Sequence, residues 1–189
     1  LRLLRAVRLA AQLDFEIDPA TFAAVRDMAD HITRVSAERV RDELLKLFRP
    51  PYAARGLDLL HESGLLAQVL PELLPTVTCE QSPDYHPEGT VYDHIRLMLS
   101  KLPAEASVEL PWTALLHDIA KPVTQSECEE GRIHFYGHEK IGADMAQKIL
   151  ERLRFPNVEI QAIVQTVRYH MQFKDASKMR KATLRRMLM

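Results

Sequence analysis

Apolar residues recur every three or four positions along nearly the whole chain, a pattern that leaves room for little except helices. Leu3, Leu4, Val7, Ala10 and Ala11 form one face of an opening segment, with Arg2, Arg5, Arg8 and Gln12 on another. That spacing follows the 3.6-residue turn, and the two-residue alternation of a half-buried strand is almost absent. Only 6 glycines interrupt the 189 residues. Asp18-Pro19 sets a capping carboxylate before a proline at the first helical position, which predicts a helix to about His31. Ser36 is expected to cap a helix ending near Phe48 at Pro50-Pro51, with Arg39 where a capping box would want Glu or Gln. Further helices are expected at about 52–63 and 64–74. The polar stretch from Thr76 to Thr90, with two prolines and a glycine, is the best candidate boundary. Beyond it the pattern predicts helices near 90–101, 110–119, 137–154, 157–171 and 177–188. An irregular or hairpin segment fills Lys121 to Gly137, where Arg132-Ile-His-Phe is the strand-like run.

At 47% apolar residues the chain can bury one sizeable core or two small ones. A net charge of −1 excludes a histone-like polycation, but the charge is uneven. Residues 50–147 hold 6 Lys/Arg against 15 Asp/Glu, and residues 148–189 hold 10 against 3. The basic end suits either a face that meets phosphate or a solvated helix surface. Cys79 and Cys128 form no CxxC and fit a reduced cytoplasmic protein in which both are inert small residues. No apolar run approaches the ~20 residues of a membrane span, and no signal-peptide pattern is present. The chain opens on a helical pattern without an initiator Met and stops within another, so it is expected to be an internal fragment of a longer protein.

Four histidines fall on the apolar sides of their expected helices. His94 shares a stripe with Val91, Ile95, Met98 and Leu102. His117 and Asp118 end the helix carrying Trp112, Leu115, Leu116 and Ile119. His138 precedes Ile141, Met145 and Ile149, and His170 joins Ile160, Ile163, Val164, Val167 and Met171. One inward histidine is ordinarily a hydrogen-bonded core residue. Four, with an inward carboxylate beside one of them, ask for compensation, because an unpaired buried carboxylate costs several kcal/mol. A divalent ion supplies it, and imidazole with carboxylate suits first-row metals. His94, His117 and Asp118 are the expected ligands; His138 and His170 are expected at a second ion or at a substrate phosphate.

The order His94, LLHDIAKP, FYGHEKIGA and VRYHM closely resembles the HD superfamily of metal-dependent phosphohydrolases. The resemblance implies that His94, His117 and Asp118 are the first three members of the H…HD…D signature. It also implies that Lys121 and His138 act catalytically beside Asp118, Lys121 by meeting a phosphate oxygen. Ala120 stands where Gly is common. The last Asp has no secure counterpart: Asp175 lies only five residues after His170, and in similar proteins that Asp comes later, here past Met189. Mn, Ni, Co or Fe is the metal expected at such a site.

Residues 1–48, and AARGLDLLHESGLLAQVLPEL after them, closely resemble the neck of bacterial poly(A) polymerases and tRNA nucleotidyltransferases. Many members of that family carry an HD domain directly after the neck. The resemblance implies an all-α architecture, with a helical neck at 1–75 and an HD-type helical bundle at 76–189. In the family an acidic residue and an arginine spaced E/D-x-x-R read the incoming nucleotide. Arg2 is the counterpart of that arginine, and its acidic partner would precede Leu1. Arg5 and Arg8 share its face and suit phosphate or base contacts, or a salt-bridged surface. Glu38, Arg39 and Glu43 match a later motif expected to brace the neck by ion pairs along the helix. The Gly-Ser turn and D-x-D that would hold magnesium for nucleotidyl transfer are missing, so the catalytic head is expected upstream.

The leading expectation is thus the neck and HD portion of an enzyme that adds AMP or CCA to RNA 3′ ends. Its partners would be RNA, tRNA above all, with ATP and CTP for the whole enzyme; a homodimer is one arrangement open to it. A second reading is a phosphohydrolase for 2′,3′-cyclic or 2′-phosphates at RNA ends. A third is a non-catalytic RNA-binding module.

Overall fold

Helix α1 (Arg2–Leu13) buries Leu4, Val7, Ala10 and Ala11, the face its spacing predicts. It lies against α3 (Ala37–Leu47) and α4 (Ala53–Glu62). Between α1 and α3, α2 (Pro19–Asp27) opens on Asp18, whose carboxylate accepts from Thr21 N at 3.0 Å. It ends sooner than the pattern suggests, and Ala29–Arg34 continues as a 3-10 turn. Likewise the segment at 64–74 divides into α5 (Leu65–Val69) and a 3-10 stretch Pro71–Val77. Pro71 has no N–H to continue the α ladder.

The second half is built on α6 (Val91–Ser100), α7 (Glu109–Leu116), α8 (Lys121–Thr124), α9 (His138–Arg152) and α10 (Asn157–Tyr169). Two short antiparallel strands, β1 (Ser126–Glu127) and β2 (Ile133–His134), form the hairpin. Among the described residues the fold is all-α apart from this pair. The computed structural model describes residues 1–127 and 132–172; the helix expected at 177–188, Asp175 and Cys128 lie outside the described residues.

Capping differs from the expectation. Ser36 makes no side-chain cap bond, whereas Thr90 and Asp93 form a full capping box at the start of α6. Two stripes also shift. Met98 and Ile141 are exposed, and the buried faces are Val91, Tyr92, Ile95 and Leu99 in α6 and Gly142, Ala143, Ala146, Ile149 and Leu150 in α9. Met171 is exposed as well, at the end of the α10 stripe.

Helix α7 is buried on nearly all sides through Pro111, Trp112, Ala114, Leu115 and Leu116, and α10 packs on both α7 and α9. Trp112 sits between Phe48 and Phe155, with ring centroids 5.7 and 4.7 Å away. One apolar core therefore runs from Leu4 to Val167. Polar ties cross it: Arg96 Nε lies 2.8 Å from both Asp58 oxygens, and Arg152 reaches Val69 O at 3.0 Å and Glu72 at 2.8 Å. As the central helix, α7 carries its C-terminal residues into the interior. Those residues are His117 and Asp118.

Candidate metal centre

Beyond Leu116 the chain turns through His117–Ala120 before α8 begins at Lys121. The turn aims Asp118 inward, where it is 2% exposed. Helix α9 packs on this turn at Gly142, where a Cβ would stand in ordinary contact, 3.6 Å from His117 O and from Ala120 Cβ. Gly137, at φ 76°, makes the left-handed turn that sets His138 as the first residue of α9.

The two oxygens of Asp118 face different partners. Oδ2 lies 3.1 Å from His117 Nε2, 3.9 Å from His94 Nε2 and 2.8 Å from Lys121 Nζ. Oδ1 lies 3.3 Å from His138 Nε2 and 3.6 Å from His170 Nε2. The structure thus brings together all five residues that the spacing singled out as ligands, with Lys121 beside them. They form two overlapping donor groups, His94–His117–Asp118 and Asp118–His138–His170, the donor atoms of each lying within 4.8 Å of one another.

The opposite ring nitrogens show what this arrangement is for. The Nδ1 of His117 faces Ala114 O at 2.9 Å, that of His138 faces Phe135 O at 2.7 Å, and that of His170 faces Val167 O at 2.7 Å. A carbonyl only accepts, so each Nδ1 carries a proton, and in the neutral ring each Nε2 is left to present a lone pair to an ion at the centre. His94 follows the same rule with Glu88 as the acceptor at Nδ1. His138 Nε2 and His170 Nε2 then stand 3.2 Å apart, lone pair to lone pair. Only a proton or a cation between them makes that separation favourable. Imidazole and carboxylate donors with the second ring nitrogen held by an acceptor are the arrangement of a divalent-metal site, so the residues fit a metal.

The electrostatics agree. Burial pushes the Asp118 carboxyl up, but the charge of His117 and hydrogen bonds from His117, His138 and His170 outweigh it and hold the group well below the usual carboxylate range. Burial also pushes His138 down, and its bonds to Asp118 and Phe135 O reverse this and raise it. For His94 burial wins over Glu88, and its pKa falls, which favours the neutral ligand form. Glu88 is itself lowered to about 2, because its own backbone N–H and the rings of His94 and His86 outweigh its burial.

Three residues around the centre had no signal in the sequence. Glu88 accepts from His94 and, at 3.1 Å, from His86. Buried Gln81 accepts from Lys121 Nζ at 2.6 Å and donates to Thr90 O at 3.2 Å, so Lys121 is held between Gln81 and Asp118. All three lie in the polar stretch that reads as a linker, where no periodicity marks an inward side chain. The HxE at His86–Glu88 is the one trace they leave. Cys79, also in this stretch, is buried; burial raises its thiol, which makes it a poor nucleophile.

The site opens into a cavity of about 540 Å³, lined by the candidate ligands and Lys121 and also by Tyr85, His134 and Tyr136. The arginines of the first helix lie elsewhere. Arg2 is exposed. Arg5 Nε and Arg8 Nε pair with the two oxygens of Glu43 at 3.1 and 2.9 Å, and Arg8 also reaches Gln12 at 2.6 Å. Glu43, 4% exposed, therefore braces α3 to α1, more than along its own helix as the sequence suggests. No helix of the described residues is long and apolar enough to cross a membrane.

Comparison with known proteins places these features in context. The family described as "Probable RNA and SrmB- binding site of polymerase A" matches residues 14–76, and the HD domain family matches residues 85–189. The chain is 36% identical over 181 residues to an A-adding tRNA nucleotidyltransferase of Deinococcus radiodurans, covering 90% of this chain and 41% of that protein. A CC-adding tRNA nucleotidyltransferase of Thermus thermophilus is 39% identical over 180 residues, covering 90% and 41%. A multifunctional CCA protein of an Azoarcus species is 33% identical over 191 residues, covering 99% and 46%. The chain thus spans less than half the length of these relatives. With the HD match covering more than half of its residues and the four histidines and Asp118 converging as described, the chain belongs to the HD domain family, and its residues 14–76 are similar to the polymerase A segment.

Proposed function

We propose that this chain is the neck and HD portion of a cytoplasmic tRNA nucleotidyltransferase, and that its HD centre hydrolyses phosphoesters at RNA ends. The observation that carries the hydrolase reading is the shared carboxylate of Asp118, each oxygen of which meets imidazole Nε2 atoms whose Nδ1 is already committed. The division at 1–75 and 76–189 is part of the same reading. So are RNA, ATP and CTP as partners of the whole enzyme, magnesium in a separate catalytic head, and Arg2 as its nucleotide-reading arginine.

His94, His117 and Asp118 would hold one divalent ion, with Mn, Ni, Co or Fe suited to the donors; His138 and His170 serve a second ion or the substrate phosphate. When bound, such an ion supplies Lewis acidity toward a phosphoryl oxygen and lowers the pKa of water in its reach. The chain's own groups do the rest. Lys121, anchored by Gln81, offers an ammonium to the charge that accumulates on the phosphoryl oxygens. His138, whose pKa is raised, holds a proton at Nε2 that it can give to the leaving oxygen. The relatives named as A-adding and as CC-adding match this portion about equally well, which supports tRNA as the substrate class and leaves the choice of nucleotide to the rest of the enzyme.

The test is metal content and turnover together. Purified wild-type chain should retain Mn, Ni or Co and hydrolyse adenosine 2′,3′-cyclic phosphate, and Asp118→Ala should lose both. Equally low metal in the two proteins defeats the hydrolase reading. Salt-dependent RNA binding without metal or turnover would leave a binding module in its place.

A further inference from the structure

The cavity at the metal centre is lined by aromatic side chains as well as by the candidate ligands. A phosphate group with its ions fills a small part of about 540 Å³. The remainder has the size of a nucleotide site, since small-molecule pockets run from roughly 300 to 1,000 Å³. Tyr136 lines this cavity and is 76% exposed, and Tyr85 lines it at 74% exposed. The Tyr136 ring is stacked on His134, with centroids 5.1 Å apart and planes 13° from parallel. His134 ends β2, and Tyr136 follows two residues later in the turn that leads into α9. Phe135 between them points inward and lies under the ammonium of Lys121, 5.3 Å from ring centre to Nζ. The hairpin arm thus has an inner residue at the phosphate-binding lysine and an outer pair presenting a flat π face.

We propose that this pair is a nucleobase shelf, so that the cavity takes the terminal nucleoside of a phosphorylated ribonucleotide, with phosphate toward Asp118 and Lys121 and base against Tyr136 and His134. The assignment rests on the phosphoester reading of the metal centre. Stacking is the right chemistry here. Every base has a π face, a stacked platform tolerates any of them, and no fixed donor or acceptor set on the shelf singles one out. A sugar phosphate or inorganic phosphate would use the polar side alone and leave both tyrosines in water.

Equilibrium binding reads this without relying on turnover. The full 189-residue chain, loaded with Mn, is titrated calorimetrically with inorganic phosphate, ribose 5-phosphate and adenosine 2′-phosphate. The nucleotide should bind at least about tenfold more tightly than ribose 5-phosphate, the range base stacking supplies. Tyr136→Ala should bring the nucleotide down to the sugar phosphate and leave inorganic phosphate unchanged, and Tyr136→Phe should restore it. Equal affinity for nucleotide and sugar phosphate in the wild type overturns the shelf alone. So does an equal loss of all three ligands in Tyr136→Ala. Failure of every ligand, inorganic phosphate included, overturns the phosphoester reading with it. A short RNA ending in the same 2′-phosphate supplies the last arm: affinity matching the mononucleotide assigns strand ends, and affinity for the mononucleotide alone assigns a free metabolite.

Discussion

Asp118 is buried to 2% exposure and yet kept ionised, which is possible only because both of its oxygens are occupied. The residues around it divide by how visible they are in the sequence. His94, His117, His138 and His170 stand out because each falls within an apolar helical stripe, where a polar side chain must be explained. Glu88 and Gln81 do not, because a loop without periodicity brings them to the centre through the capping box at Thr90 and the bridge between Glu80 and Thr90. Yet Glu88 fixes which nitrogen of His94 faces Asp118. Acceptors behind a metal-bound imidazole ordinarily govern its affinity, and their loss costs about 10- to 100-fold. Glu88→Gln should therefore weaken Mn binding by about that factor in a direct titration, with the helical circular dichroism unchanged. Wild-type affinity in this variant would mean that Glu88 only ties down its loop.

Helix existence follows from the 3.6-residue period and helix ends from local chemistry, so existence is the more legible of the two. The helices at α1, α3, α4, α6, α9 and α10 appear where the spacing puts them. The break before Pro71 has a local cause in the proline's missing N–H, whereas the early stop of α2 leaves no mark in the apolar period. The brace between α1 and α3 is similar: Glu43 reads as a surface carboxylate, and only the approach of α1 sets Arg5 and Arg8 upon it. Burial raises the Glu43 carboxyl, but its bonds to Arg5 and Arg8 outweigh that and lower it below the unfolded value. A lowered carboxyl contributes stability above the unfolded pKa of about 4.3 and loses it as pH falls through the folded value. Glu43→Gln should thus be less stable than wild type by about 2 kcal/mol at pH 7, as expected for bonds to a charged group. The gap should narrow steadily below about pH 4.3 in denaturant titrations repeated across pH. A pH-independent gap would assign the loss to packing instead of charge.

Two family matches meet in this chain, and the apolar core does not stop between them. Trp112, the one tryptophan in the sequence, lies in the HD half but is covered by Phe48 from the neck, and α4 packs on α6 across the same seam. Arg96 with Asp58 and Arg152 with Glu72 add ion pairs between the two halves. Separating the halves would expose the face around Phe48 and Trp112, and truncating a buried aromatic of this kind costs about 3–5 kcal/mol. The two halves should therefore unfold together. In urea, fluorescence of Trp112, which reports the seam, should change at the same midpoint as far-UV circular dichroism, which reports all helices. A divalent ion at the proposed centre would touch residues of the HD half alone, yet at 100 times its dissociation constant it should raise the stability seen by both probes by about 2.7 kcal/mol. Two separated transitions, with metal moving only the later one, would show that the neck folds by itself. A single transition moved as a whole would mean that the two halves form one cooperative unit, joined through the packing of Trp112 against Phe48.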